Sequence, residues 1–222
     1  MKYNTKQQNV FPINITHKKG KYFSKFVCPD MFFCNISFKN NSWLVDDKKE
    51  ILSRIKSKDN SDFFVDYSNI SKNNHFIILL ESPHIKEFNS KGTAIGPAHG
   101  WTGYNIYWFF EKHLKNSFLN LQENNYRVVV INAVQFQASL GLRPINKTIR
   151  NQTWRELFDK GDINNRLLAF AAKSGDCIVV NCCTKDLRQD LNDKISAIKG
   201  IKIYQGNHPS RWFFAHDKTF WK

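Results

Sequence analysis

His75-Phe76-Ile77-Ile78-Leu79-Leu80-Glu81-Ser82-Pro83-His84-Ile85-Lys86-Glu87 is the stretch on which the fold turns. Its first part, His75–Leu80, is apolar without alternation, the mark of a strand covered on both faces, as in a parallel sheet. A polar loop stiffened by Pro83 follows at once. The pattern recurs where Gly200-Ile201-Lys202-Ile203-Tyr204 runs into Gly206-Asn207-His208-Pro209-Ser210. Open α/β sheets carry their chemistry in loops at the carboxyl ends of such strands.

Between these two points strands and helices alternate. Tyr104 to Leu121 carries a helical stripe at Ile106, Phe109, Phe110, Leu114 and Phe118, and this stripe reads as core. Arg127–Asn132 is a second strand, and helical segments lie around Thr153–Phe158 and Ile163–Lys173. Asp176–Cys182 is a third strand, Lys185–Ile195 a helix, and Ile201–Tyr204 a fourth strand. Helices of this length between strands imply right-handed crossovers. The expected fold class is α/β, a three-layer αβα sandwich on a central four-stranded parallel sheet.

Residues 1–72 read as an irregular N-terminal extension packed on a catalytic domain of residues 73–222, with one helix over Ser42 to Lys58. Leu44, Ile51, Leu52 and Ile55 approximate one face of that helix.

The 222 residues hold 33 Lys plus Arg against 19 Asp plus Glu, a formal charge of +14. Such a surface attracts polyanions, and DNA, single- or double-stranded, is the expected partner. An AT-biased coding sequence, which favours Lys, Asn and Ile, supplies a bland source for part of that excess. The five cysteines, Cys28, Cys34, Cys177, Cys182 and Cys183, include no Cys-x-x-Cys, so neither zinc site nor disulfide framework is expected. No apolar stretch approaches bilayer length and the N-terminus lacks an apolar signal region. A cytoplasmic monomer without membrane contact, metal or cofactor is the expectation.

Three motifs in order carry a family likeness. Glu81-Ser82-Pro83-His84-Ile85-Lys86-Glu87 is followed by Gly92-Thr93-Ala94-Ile95-Gly96-Pro97-Ala98-His99-Gly100. Asn132-Ala133-Val134-Gln135-Phe136 runs on to Arg143-Pro144, and His208-Pro209-Ser210 comes last. Together they resemble the uracil-DNA glycosylase superfamily, with the first motif similar to its thermophile-type family 4. The likeness covers about residues 75 to 215.

It implies a uracil-DNA glycosylase-like fold and a monofunctional DNA glycosylase that hydrolyses the N-glycosidic bond of a flipped-out base. That reaction needs a carboxylate or held water beside a cationic sugar and a donor on the departing base. The resemblance assigns the sugar-side carboxylate to Glu81, with Glu87 second, and the donor to His208. Asn132 takes base recognition through its amide, with His84 and Ser82 in the pocket wall. His99, Ser210 and Arg211 fall to phosphate contact. Trp212 or Phe213 is the wedge that fills the gap behind a flipped base. Each has a bland reading: a loop histidine, a strand-ending Asn, a carboxylate paired with Lys, aromatics packed under Phe220-Trp221.

The departures narrow the substrate. Ser82 stands where many members have a water-activating Asp or Asn. Ala94 or Ile95 replaces the Phe that stacks on uracil, Phe136 replaces a cluster cysteine, and Arg211-Trp212-Phe213-Phe214 replaces a Leu-rich wedge. No iron–sulfur cluster is therefore expected. With Ala94, Ala138 and Ser139 leaving room, a modified pyrimidine such as glucosylated hydroxymethylcytosine of phage DNA is preferred over plain uracil. That would make the protein an antiviral defence enzyme; the alternatives are DNA repair of uracil and a catalytically weak binding module. A nucleotide-processing enzyme or metal-dependent nuclease is disfavoured, because neither a Gly-rich phosphate loop nor paired metal carboxylates occur.

Overall fold

The computed structural model describes residues 27–40, 42–46, 48–117, 123–136, 147–214 and 221. Among them are six strands in one mixed sheet and five helices. In chain order these are β1 (Met31–Lys39), β2 (Ser42–Val45), α1 (Lys48–Lys56), β3 (Asn74–Leu80), α2 (Trp101–Lys115), β4 (Asn124–Asn132), α3 (Lys147–Lys160), α4 (Ile163–Ala171), β5 (Cys177–Asn181), α5 (Lys185–Ser196) and β6 (Ile201–Gln205).

The sheet order is β2-β1-β4-β3-β5-β6. The four strands from β4 to β6 are parallel, in a register that aligns Leu80 with Asn132, Leu79 with Asn181 and Asn181 with Gln205. Their carboxyl ends therefore open at one edge of the molecule. β3 occupies the centre because every residue from His75 to Leu80 is buried, so neither face needs a polar side chain. Chain direction across the sheet reverses between β3 and β5: β3 leads to β4 on one side, and β5 leads to β6 on the other. A crevice outside the strand ends arises at such a switch point.

Helices cover both faces. Ile51 and Ile55 of α1, Ile106, Phe110 and Leu114 of α2, and Trp212 and Trp221 pack on Phe76, Ile78, Val128 and Val130. On the opposite face Trp154, Leu157 and Phe158 of α3, Leu167 and Phe170 of α4, and Leu187 and Leu191 of α5 pack on Ile77, Leu79, Val129 and Val179. Each fully buried Ile, Leu, Val or Phe contributes about 1.5–3 kcal/mol.

The sheet is larger than the expected four strands, and residues 31–56 are regular rather than irregular. β1 pairs antiparallel with β4 from Met31↔Val130 to Phe38↔Asn124, with an irregularity between Phe32 and Cys34. β2 adds an outer strand of strict alternation, with Trp43 and Val45 inward and Leu44 60% exposed. The helix expected over Ser42 to Lys58 shortens to Lys48–Lys56, because Ser42–Val45 pairs as a strand. The antiparallel direction of β1 brings the residues just before it, Cys28 to Asp30, to the carboxyl edge of the parallel strands. All five cysteines are buried thiols. No helix among the described residues is long and apolar enough to cross a membrane, and none of them forms a cluster of His, Cys, Asp or Glu suited to a metal ion.

Candidate functional site

The loops after β3 and β6 open at the same edge of the sheet, over the strand ends. Glu81 follows β3 directly and is 5% exposed. Its backbone carbonyl accepts from Trp154 Nε1 at 2.8 Å and from the Val134 amide at 3.2 Å. Its carboxylate Oε2 accepts from the Thr184 hydroxyl at 2.5 Å. Thr184 is the N-cap residue of α5, yet its side chain makes no capping bond to that helix; the hydroxyl serves Glu81 instead. Glu81 thus sits at the carboxyl ends of the strands, at the β3/β5 switch point.

His208 comes to the same place from the far edge of the sheet. Gly206 makes this path possible: a Cβ there would lie 2.8 Å from Val180 Cγ1 and 2.9 Å from the Trp221 ring. The His208 ring nitrogen Nδ1 accepts the Ser210 backbone N–H at 3.2 Å and lies 2.9 Å from the Ser210 hydroxyl. Accepting at Nδ1 leaves the proton on Nε2, so the ring is a neutral donor through Nε2–H. Burial pushes the His208 pKa down to about 4; Glu81 pulls it up and Arg211 and His84 push it further down. Those influences bring Glu81, His84, His208 and Arg211 into one electrostatic neighbourhood.

His84 adopts the same tautomer, accepting the Lys86 backbone N–H at Nδ1 at 3.1 Å while capping the 3-10 turn Ile85–Glu87. Burial and Lys86 lower its pKa, and the same two causes lower that of His99. Nδ1 of His99 and Oγ of Ser82 are buried without a hydrogen-bond partner.

Glu87 is buried and bonded on both carboxylate oxygens. It is 3% exposed; Oε1 accepts the Ala98 N–H at 3.1 Å, while Oε2 accepts from Asn132 Nδ2 at 3.1 Å and from the Cys28 thiol at 3.7 Å. Burial raises its pKa to about 8 against the opposing pull of the Asn132 and Ala98 hydrogen bonds. The geometry gives Glu87 a positioning contact beside its expected catalytic role: it holds the Asn132 amide. Asn132 is wholly buried at the end of β4, with Oδ1 unpartnered. A buried amide oxygen without a donor is costly, about 1–3 kcal/mol.

The backbone of Asn132 is anchored from below. Arg166 Nη2 donates to the Asn132 and Ala133 carbonyls at 3.0 Å, and its Nη1 pairs with Asp30 at 2.6 and 2.8 Å. The Tyr67 hydroxyl also donates to Asp30. Burial works against the Arg166 charge, and Asp30, Tyr67 and Asp162 outweigh it, holding the guanidinium above its usual range.

The wedge expectation is corrected for Trp212. It is 1% exposed, stacks on His113 at 4.4 Å and on Phe110 at 6.3 Å, and donates from Nε1 to the Asn207 carbonyl at 2.8 Å. Phe213 is 57% exposed and Arg211 is exposed beside it. Ala138, Ser139, Arg143 and Pro144 lie outside the described residues.

Sequence reasoning missed Thr184, Cys28, Asp30 and Arg166. Only Thr184 carried a local signal, a Thr before a helix directly after a strand. No family model matches the chain, and comparison with curated proteins and with solved structures found no match.

Proposed function

We propose that this chain is a DNA glycosylase of the uracil-DNA glycosylase type, hydrolysing the N-glycosidic bond of a flipped-out, modified pyrimidine. The observation that carries the reading is the approach of Glu81, held by Thr184, to a neutral His208 that keeps its proton on Nε2. The two groups suit opposite ends of one bond. The Glu81 carboxylate orients water and stabilises positive charge growing on the sugar. The His208 Nε2–H donates to the base oxygen on which negative charge grows. Asn132 reads the base edge with its amide, Glu87 keeps that amide in place, and Ser82 and His84 stand in the pocket wall. His99, Ser210, Arg211 and Phe213 face the nucleic acid, in keeping with the charge of +14.

Ala94 where a stacking ring is expected favours a larger base than uracil, such as glucosylated hydroxymethylcytosine, and with it a role in defence against phage DNA. Excision of plain uracil in repair is the narrower alternative. Ser82, in place of a water-activating side chain, favours a second reading: a binding module of the same fold with little catalysis.

A base-release assay separates these. Duplexes and single strands carrying uracil, hypoxanthine, hydroxymethylcytosine or its glucosylated form are incubated with the protein, and alkali then reveals abasic sites. Release abolished by Glu81→Gln and His208→Ala supports the glycosylase and names its base. No release from any substrate, with DNA affinity intact, refutes it in favour of the binding module.

A further inference from the structure

The outward stripe of α2 is aromatic where a surface helix is normally charged. Trp101 and Trp108 stand at helical spacing on this side, with the half-buried Tyr104, which also packs on the core, between them, and Lys112 and Lys115 continue the line. Trp101 is 61% and Trp108 67% exposed, so neither serves the core. At about 1.5 Å of rise per residue the two rings stand about 10 Å apart along the axis. Trp108 packs edge-on against Tyr107 at 4.7 Å, and the exposed Phe213 packs edge-on against Phe109 at 5.9 Å.

Cations border this surface. Lys86 lies against the start of α2, where a Cβ on Gly100 would be 3.3 Å from Lys86 Cδ. Lys112 and Lys115 are exposed at the other end, and Arg211 is exposed in the segment that packs on α2. The one carboxylate on this part of the helix, Glu111, is taken up by Lys48 at 2.6 Å and Lys115 at 2.8 Å. The stripe also begins beside the candidate site, because Lys86 is the cation that acts on both His84 and His99.

We propose that the outward face of α2 is a stacking platform for unpaired nucleic acid, with bases on Trp101 and Trp108 and phosphates against Lys86, Lys112 and Arg211. Charge selects this occupant over a second copy of the chain, since two surfaces of a +14 protein repel each other. Aromatic faces select unpaired over duplex strands, because a duplex keeps its base faces stacked on one another. The inference rests on the nucleic-acid reading above and gives it a substrate class: single-stranded or locally melted DNA, led along α2 towards Glu81 and His208.

The test is fluorescence anisotropy of a labelled oligothymidylate titrated with the full chain and with Trp101→Ala/Trp108→Ala. Because both rings face solvent, the variant should keep its circular dichroism and melting temperature. Affinity is expected to fall at least about tenfold, given what base–aromatic stacking contributes, while Trp101→Phe/Trp108→Phe retains most of it. The salt slope should stay, since the cations remain. Leu168→Ala, at an exposed apolar residue on the opposite layer, should change nothing.

Unchanged affinity in the alanine variant overturns the platform, as does an equal loss for duplex DNA. Loss of a dimer in place of any loss of oligonucleotide binding assigns the face to a second copy and also overturns it. Binding is read without turnover, so the two proposals fail separately. Aromatic-dependent strand binding without base release refutes the glycosylase alone, and base release with indifferent tryptophans refutes the platform alone.

Discussion

Thr184 donates its hydroxyl to Glu81 at 2.5 Å across 103 residues of chain, joining the start of α5 to the loop after β3. The bond spans the switch point of the sheet and leaves α5 without a side-chain cap from this residue. Thr184→Val removes the donor at nearly constant shape. A hydrogen bond to a charged group is worth about 1.5–3 kcal/mol, so base release should slow roughly 10- to 100-fold with substrate affinity little changed. Thr184→Ser should restore the rate. Single-turnover kinetics check this, and equal rates in the valine variant would deny Glu81 its positioning partner.

His208 gives the pH profile of that same reaction. Its pKa lies near 4, pushed down chiefly by burial, so the neutral donor persists well below the usual histidine range. The contribution of His208 to the rate should therefore hold down to about pH 5 and fall only as pH drops through about 4. A rate that halves near pH 6.5 instead would mean an exposed, ordinary imidazole.

Stability should respond to pH in two opposed ways. His75, His113 and His208 all have folded pKa values near 4, each lowered first by burial. Between about pH 4 and 6.5 the unfolded chain binds their protons more readily, so stability rises with pH through that window. Glu87 acts in reverse: its folded pKa is raised to about 8 by burial, so the folded chain holds the proton between about pH 4.5 and 8. Its contribution is present at low pH and is lost as pH rises towards 8. Thermal melts across this range should show Glu87→Gln removing the fall between about pH 6.5 and 8 and steepening the rise between about pH 4.5 and 6.5.

The Asp30–Arg166 pair is predicted to be a structural keystone of the site. Arg166→Met leaves the wholly enclosed Asp30 carboxylate without its cation and frees the Asn132 and Ala133 carbonyls. Breaking a buried pair by removing one partner costs about 3–5 kcal/mol. Urea unfolding should report a loss of that order, and a loss below about 1 kcal/mol would show the pair to be dispensable.

The parallel strands were readable because each is a local pattern. His75–Leu80, Arg127–Asn132, Asp176–Cys182 and Ile201–Tyr204 all coincide with β3 to β6 within a few residues. Burial on both faces of β3, β4 and β5 demands apolar side chains regardless of what lies elsewhere in the chain. β1 was not readable in the same way. Met31–Lys39 mixes Phe with Asn, Ser and Lys, and its strand character comes from the free edge of β4 that it pairs with. Trp212 was ambiguous for a related reason: an aromatic in a polar loop is core or surface according to the helix beneath it, and here His113 and Phe110 of α2 lie beneath it.

By itself the sequence determined the α/β class, the four parallel strands and the loops that face one edge, since hydrophobic runs and chain punctuation are short-range properties. Tertiary structure alone decided which side chains serve one another. Glu87 holds Asn132 from 45 residues away, and Arg166 holds Asp30 from 136. Such pairings follow from strand order and crossover direction, which bring distant residues to one edge. The strength of each bond then depends on exclusion of water, which no short segment can achieve without the sheet and helices packed around it.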